Sequence, residues 1–164
     1  MHPPLPLTRR HALLGMAILL ESTQVNAQST PTQRTAEGQF EVKIAAPQAM
    51  STPTGGAALF RRALDKQYHG AMQGQALGEM LAGGNPATGS AGYVAIESFS
   101  GSLDGRSGGF ALMQLGRMDG GQQEMHYLIV PGSGLGELSG ITGELQLRIE
   151  AGVHAYSIRY RLPP

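Results

Sequence analysis

Residues 92–113 read G-Y-V-A-I-E-S-F-S-G-S-L-D-G-R-S-G-G-F-A-L-M, and the alternation in that string decides the fold. Tyr93, Ala95, Glu97 and Phe99 fall on one side, and Val94, Ile96 and Ser98 on the other. Successive side chains of an extended strand point to opposite faces, so this is a strand with two unlike faces. S-L-D-G-R-S-G-G then turns the chain, with glycine supplying the positive φ that hairpin turns require. Phe110, Leu112 and Gln114 resume the alternation. The stretch is a β-hairpin with aromatic side chains and a carboxylate on one face.

The same rhythm continues outward in both directions. In 37–46, Phe40, Val42 and Ile44 oppose Glu41 and Lys43. In 59–69, Phe60, Leu64 and Tyr68 share a face with Arg62 and Lys66, a mixed set for a plain core. A helix competes there, because Phe60, Ala63 and Leu64 also suit a period near four. The turn at Gly70 and the absence of a capping residue before Leu59 favour a strand. Further strands are expected at 73–82, 123–130, 143–150 and 153–162, with a short or bulged one at 137–141. Loops fall at 47–57, 83–90 and 131–136 by their prolines and glycines. Seven to nine strands with short connections give an all-β chain, a single antiparallel up-and-down barrel of about eight strands. A barrel of that size holds packed side chains or one small ligand.

The first 27 residues read as an export signal. Arg9 and Arg10 precede the apolar run A-L-L-G-M-A-I-L-L at 12–20, too short for a spanning helix, which needs about 20 residues. Val25, Asn26 and Ala27 supply a cleavage site after Ala27. T-R-R-H-A-L-L resembles a twin-arginine signal, although Ala12 stands where that pattern prefers a bulky apolar residue. A polar leader (28–36) and the barrel domain (37–162) follow. The expectation is a periplasmic or secreted protein with no stable membrane insertion of the mature chain.

Composition narrows the function classes. The 164 residues balance 12 Lys+Arg against 12 Asp+Glu, so no basic surface points to nucleic acid. There is no cysteine, which excludes disulfides and thiol-based metal or redox sites. The 24 glycines are scattered at strand ends, as many short antiparallel strands require.

Ordered blocks extend this reading: G-x-F-x-V at 38–42, L-x-R-x-x-L-x-K-x-Y-x-G at 59–70, G-Y-V-A-I-E at 92–97, G-S-L-D-G-R-S-G-G-F-x-L at 101–112, V-P-G-S-G-x-G-E-L at 130–138 and H-x-Y-x-I-x-Y at 154–160. Together they resemble domain-of-unknown-function family 3224 over about residues 37–162. The resemblance implies a small bacterial barrel like that of allene oxide cyclase, a fold shared with dirigent-type proteins. It implies no agreed activity. The cyclase's catalytic motif has no match, so its isomerase chemistry is not carried over. Leu115 stands where the family pattern often places a histidine after Gln114.

Glu97 heads the candidate residues. Facing inward, it would be a carboxylate in an apolar lumen, suited to general acid–base work. Paired to Lys66 or Arg62 it would be structural, since an unpaired buried charge is costly; facing outward, it would be solvated. Ligand-binding candidates are Lys66, Tyr68, Tyr93, Glu97, Gln114, His154 and Tyr156, with His154, Tyr156 and Tyr160 on one face of the last strand. His69, His126 and His154 lack close metal-ligand spacing, so no metal and no cofactor are expected. Ser133 in G-S-G-L-G is a turn residue rather than a nucleophile, and Asp104-Gly105-Arg106 reads as a hairpin with an exposed charge pair. The leading expectation is an exported barrel binding a small, partly apolar molecule. Alternatives are an isomerase or lyase using Glu97 as base, assisted by Tyr93 or His154, and an interaction module with a filled lumen. Homo-oligomers could form through the outer face.

Overall fold

The computed structural model describes residues 31–164; the expected export signal at 1–27 and the first three leader residues lie outside the described residues. Ten strands follow in chain order: β1 (Arg34–Ile44), β2 (Gln48–Ala49), β3 (Leu59–Gly70), β4 (Met72–Asn85), β5 (Ser90–Leu103), β6 (Arg106–Asp119), β7 (Gln122–Ile129), β8 (Leu135–Gly136), β9 (Thr142–Glu150) and β10 (Val153–Arg161). Eight of them are long and close into an antiparallel barrel. The order runs β1-β10-β9-β7-β6-β5-β4-β3, and β3 returns to pair with β1. Closure removes the open sheet edges that would otherwise invite aggregation. The weakest seam is β7–β9, bridged at Leu128 and Glu144.

Tight turns set the register. Asp104 and Gly105 take φ of 48° and 77°, and Ala151 and Gly152 take 49° and 80°. Positive φ at both central residues is the type I′ signature, whose twist matches that of the flanking strands. The turn between β5 and β6 is therefore two residues long, and the rest of S-L-D-G-R-S-G-G belongs to the strands. Asp104 also departs from the expected charge pair: its Oδ2 accepts a 2.6 Å hydrogen bond from the Tyr160 hydroxyl.

Two boundaries are corrected. β1 begins at Arg34, inside the stretch read as leader, because Arg34 pairs with Tyr160 and Ala36 is buried. Residues 137–140 form turns rather than a strand, and Ile141 and Leu138 are fully buried. These turns carry two aliphatic side chains, three residues apart, into the barrel end.

The lumen has two unlike halves. At one end Met72, Phe99, Leu103, Phe110, Leu138 and Ile141 are all at most 2% exposed, so this half is a packed core. Toward the other end the inward positions Phe60, Arg62, Met80, Tyr93 and Met125 are only half-buried. Two tyrosines lie across glycines on the neighbouring strand. A Cβ on Gly38 would fall 2.4 Å from the Tyr156 hydroxyl, and one on Gly116 would fall 2.0 Å from Cε1 of Tyr93. Gly38 and Gly116 are the register partners of those tyrosines.

The outer surface of β4 to β7 is unusually apolar. Leu81, Val94, Ile96, Met113, Leu115 and Leu128 are each between 37% and 54% exposed. They are contiguous, because Leu81 pairs with Val94 and Val94 with Leu115, while Ile96 pairs with Met113 and Met113 with Leu128. Among the described residues, no helix is long and apolar enough to cross a membrane.

Candidate functional site

Where the two halves of the lumen meet, a charged cluster sits in the interior. Alternation along β3 turns Lys66 and Tyr68 inward; the same rule does so for Glu97 on β5, Gln114 on β6 and Tyr127 on β7. Lys66 Nζ lies 2.6 Å from Glu97 Oε2. The hydroxyls of Tyr68 and Tyr127 each donate to Glu97 Oε1 at 2.8 Å, and Gln114 Nε2 donates to Oε2 at 3.2 Å. Four donors therefore surround one carboxylate. Lys66 also donates to the Tyr127 hydroxyl oxygen and stands 4.8 Å above the Phe40 ring centroid, a cation–π geometry. No buried side-chain polar atom lacks a partner among the described residues. A buried ion pair is tolerable only when its remaining hydrogen-bonding capacity is met in this way.

Burial governs how these groups titrate. It pulls the Lys66 ammonium below its usual range, opposed by the adjacent Glu97 carboxylate. It pushes the Tyr68 phenol well up, and the negative charge of Glu97 adds to the effect. Tyr127 is pushed well up by burial, then by its neighbours Tyr68 and Glu97. His154 stacks on Phe40 with ring centroids 5.0 Å apart. It is pulled down by partial burial and by the positive charge of Lys66.

Beyond the cluster, the open end of the barrel holds a cavity of about 510 Å³. Phe60, Met80, Ala82, Met118, Met125 and Ile149 supply its apolar wall, and Arg62, Tyr93 and Gln123 its inward-facing polar groups. Arg117 and Glu124 stand at the rim, with Arg117 held to Asp119 at 2.8 Å and to Glu124 at 3.8 Å. Tyr93 lies four residues from Glu97 along β5, roughly 13 Å at the usual strand rise. Burial and the charge of Glu97 push its phenol up. The volume falls within the range of small-molecule sites, and a mostly apolar wall with a few polar groups is their usual chemistry.

The profile of the family described as "Protein of unknown function (DUF3224)" matches residues 36–160. The chain belongs to the DUF3224 family. A comparison with curated proteins finds no match. Among solved structures, this DUF3224 chain is similar to a crystal structure, at 1.84 Å resolution, of a DUF3224 protein of unknown function from Shewanella oneidensis MR-1. The two are 40% identical, with a TM-score of 0.73, over 81% of this chain and 100% of the other. The family that the ordered sequence blocks resemble is the one found.

Of the residues singled out from sequence, this DUF3224 barrel brings four together: Lys66, Tyr68, Glu97 and Gln114. Tyr93 stands apart at the mouth. His154 lies against Phe40, and the Tyr156 hydroxyl accepts from the Met72 backbone N–H at 2.7 Å and donates to the His69 carbonyl at 3.2 Å. His69 and His126 are exposed, and His126 lies 3.1 Å from Glu124. Ser133 accepts from the Ala111 N–H and donates to the Val130 carbonyl, so its hydroxyl serves a turn. Leu115 points outward, so the departure noted there bears on the outer surface and not on the lumen. Tyr127 was missed as a site residue, although it alternates with Met125 and Ile129. Its role depends on β7 lying beside β6, which strand order alone reveals.

Proposed function

We propose that this protein binds a small, partly apolar molecule in the mouth of the barrel. The observation that carries the reading is the cavity of about 510 Å³, walled by aliphatic, aromatic and methionine side chains around three inward polar groups, Arg62, Tyr93 and Gln123. The isomerase or lyase reading asks Glu97 to take a proton from a ligand. Its oxygens are instead engaged by four donors, and it lies below the mouth without lining it. The filled-lumen reading suits the closed half alone. The test is fluorescence titration with the neutral apolar dye N-phenyl-1-naphthylamine. Saturable binding of one dye per chain is expected, lost in an Ala82→Phe variant that fills the mouth. Equal binding by both proteins would place the dye elsewhere and remove the support.

The outer face of β4 to β7 favours a homo-oligomer. A contiguous apolar patch of this kind marks an interaction surface. A second copy suits it, because a two-fold pair brings the same patch from each subunit together and apolar rows need no charge complement.

Export is proposed from the sequence of residues 1–27. The test is the N-terminus of the protein recovered from the periplasm or medium of a bacterial host: cleavage after Ala27 is expected. Lysine in place of both Arg9 and Arg10 should abolish export if the twin-arginine route is used, and leave it intact by the general route.

A further inference from the structure

We infer that the mouth selects amphipathic monocarboxylates, with Arg62 as the group that holds the acid; the inference rests on the mouth being a binding site. Arg62 faces inward from β3 and is half-buried among apolar side chains. Its guanidinium makes no hydrogen bond or ion pair with another described residue, whereas the other charged side chains near it each have a partner. Glu97 below is paired with Lys66, and Arg117 at the rim is paired with Asp119 and Glu124. Arg62 is therefore the charged side chain of the inner wall that has no partner of its own, while the rim sets one cation, Arg117, against two carboxylates, Asp119 and Glu124. A guanidinium in such surroundings is costly until an anion meets it. Its planar fork of donors fits the two oxygens of a carboxylate. A single unmatched charge suits a monoanion better than a phosphate dianion. The Tyr93 hydroxyl lines the same cavity and has no side-chain partner among the described residues, which leaves it free to donate to a ligand.

The remainder of the wall bears on the ligand's body. Met80, Met118 and Met125 line the cavity, and methionine side chains adapt to differing apolar shapes. Selection thus lies at the head group, with tolerance in the tail.

The experiment is calorimetric titration of the mature protein with decanoate, decanol, decylammonium and decyl phosphate, each below its aggregation concentration. Arg62→Met is compared with Arg61→Met, the neighbouring arginine on the outer face that pairs with Glu79. A hydrogen-bonded charge pair contributes enough for a preference of about tenfold or more. Decanoate should bind at least that much tighter than decanol or decylammonium. Arg62→Met should remove the preference while still binding decanol, and Arg61→Met should keep it. Equal binding of decanoate and decanol, tighter binding of decyl phosphate, or a preference that survives Arg62→Met would overturn the inference and leave the binding site standing. Binding of none of the four, with the dye also failing, would overturn both.

Discussion

The Lys66 ammonium reaches the Glu97 carboxylate across an intervening strand, with Nζ 2.6 Å from Oε2. β4 lies between them, and its register partners to these residues are Ala76 and Gly78. Small side chains at those two positions let the longer ones from β3 and β5 meet over them. A Cβ on Gly78 would fall 2.6 Å from Glu97 Cβ. The ion pair thus depends on a run of small residues in a third strand.

Breaking this pair from either side is expected to be severe. Lys66→Met leaves a buried carboxylate without its counter-charge, and Glu97→Gln leaves a buried ammonium facing an amide. Removing one partner of a buried ion pair typically costs about 3–5 kcal/mol, a large share of the roughly 5–15 kcal/mol that holds a domain folded. The double variant should lose clearly less than the sum, since it leaves no unpaired charge. Urea unfolding of all four proteins checks this; additive losses would show that the two residues act independently.

The two tyrosine-over-glycine contacts should respond differently to the same change. Alanine at Gly38 would set its Cβ 2.1 Å from the His69 carbonyl oxygen as well as against Tyr156. Backbone cannot step aside there, and overpacking of this kind costs about 1–3 kcal/mol. Gly38→Ala should therefore lower the Tm by several degrees. At Gly116 the atoms met are those of the Tyr93 ring, which stands at the half-open mouth and has room to move. Gly116→Ala should keep most of its stability but weaken dye binding, as the displaced ring swings into the cavity. Similar Tm losses in both variants would contradict this.

Much of the barrel could be read from residues in sequence. The alternation of Tyr93, Ala95, Glu97 and Phe99 against Val94, Ile96 and Ser98 gives the inward face of β5, and Asp104-Gly105 gives its hairpin. The lumen-facing set on β3 was equally visible, since Phe60, Arg62, Leu64, Lys66 and Tyr68 all share one parity. What alternation does not carry is which strands are neighbours and how deep each inward residue sits. Tyr127 and Gln114 reach Glu97 because β6 lies between β5 and β7. Arg62 and Lys66 look alike by spacing, yet one is paired and buried and the other unpaired and half-open. The plug formed by Leu138 and Ile141 was misread as a strand, although the two lie three residues apart and a strand would send them to opposite faces. The apolar outer face was legible as Val94, Ile96, Met113 and Leu115, but only the register shows that they form one patch.

That patch gives a prediction about assembly. If two copies pair through it, the wild-type protein should run as a dimer in light scattering coupled to size exclusion. A lysine at both Ile96 and Leu115, which are 54% and 52% exposed, should yield a monomer with an unchanged Tm for the barrel. Exposed positions tolerate such changes within about 0.5 kcal/mol. A monomeric wild type would dismiss the pairing, and a dimer that survives the double change would move it to another face.

High pH should unfold the protein through its tyrosines. All five tyrosines of the chain, Tyr68, Tyr93, Tyr127, Tyr156 and Tyr160, are pushed above the ordinary value of 10.0, with burial the largest cause in each. Above pH 10 the unfolded chain therefore releases phenolic protons that the folded barrel still holds. By linkage, the stability these groups contribute is present below pH 10 and falls as pH rises beyond it. Lys66 works in the opposite sense, because its folded value is lowered from 10.5. One ammonium does not offset five phenols, two of which, Tyr68 and Tyr127, are raised well above the ordinary value. The chain has no tryptophan, so tyrosinate absorbance reports the phenols without interference. Followed against circular dichroism, that absorbance should stay low past pH 10 and then rise together with loss of the β signal, in one cooperative step. Tyrosines that titrate gradually around pH 10 while the β signal persists would mean that the lumen admits solvent to phenols placed in its core.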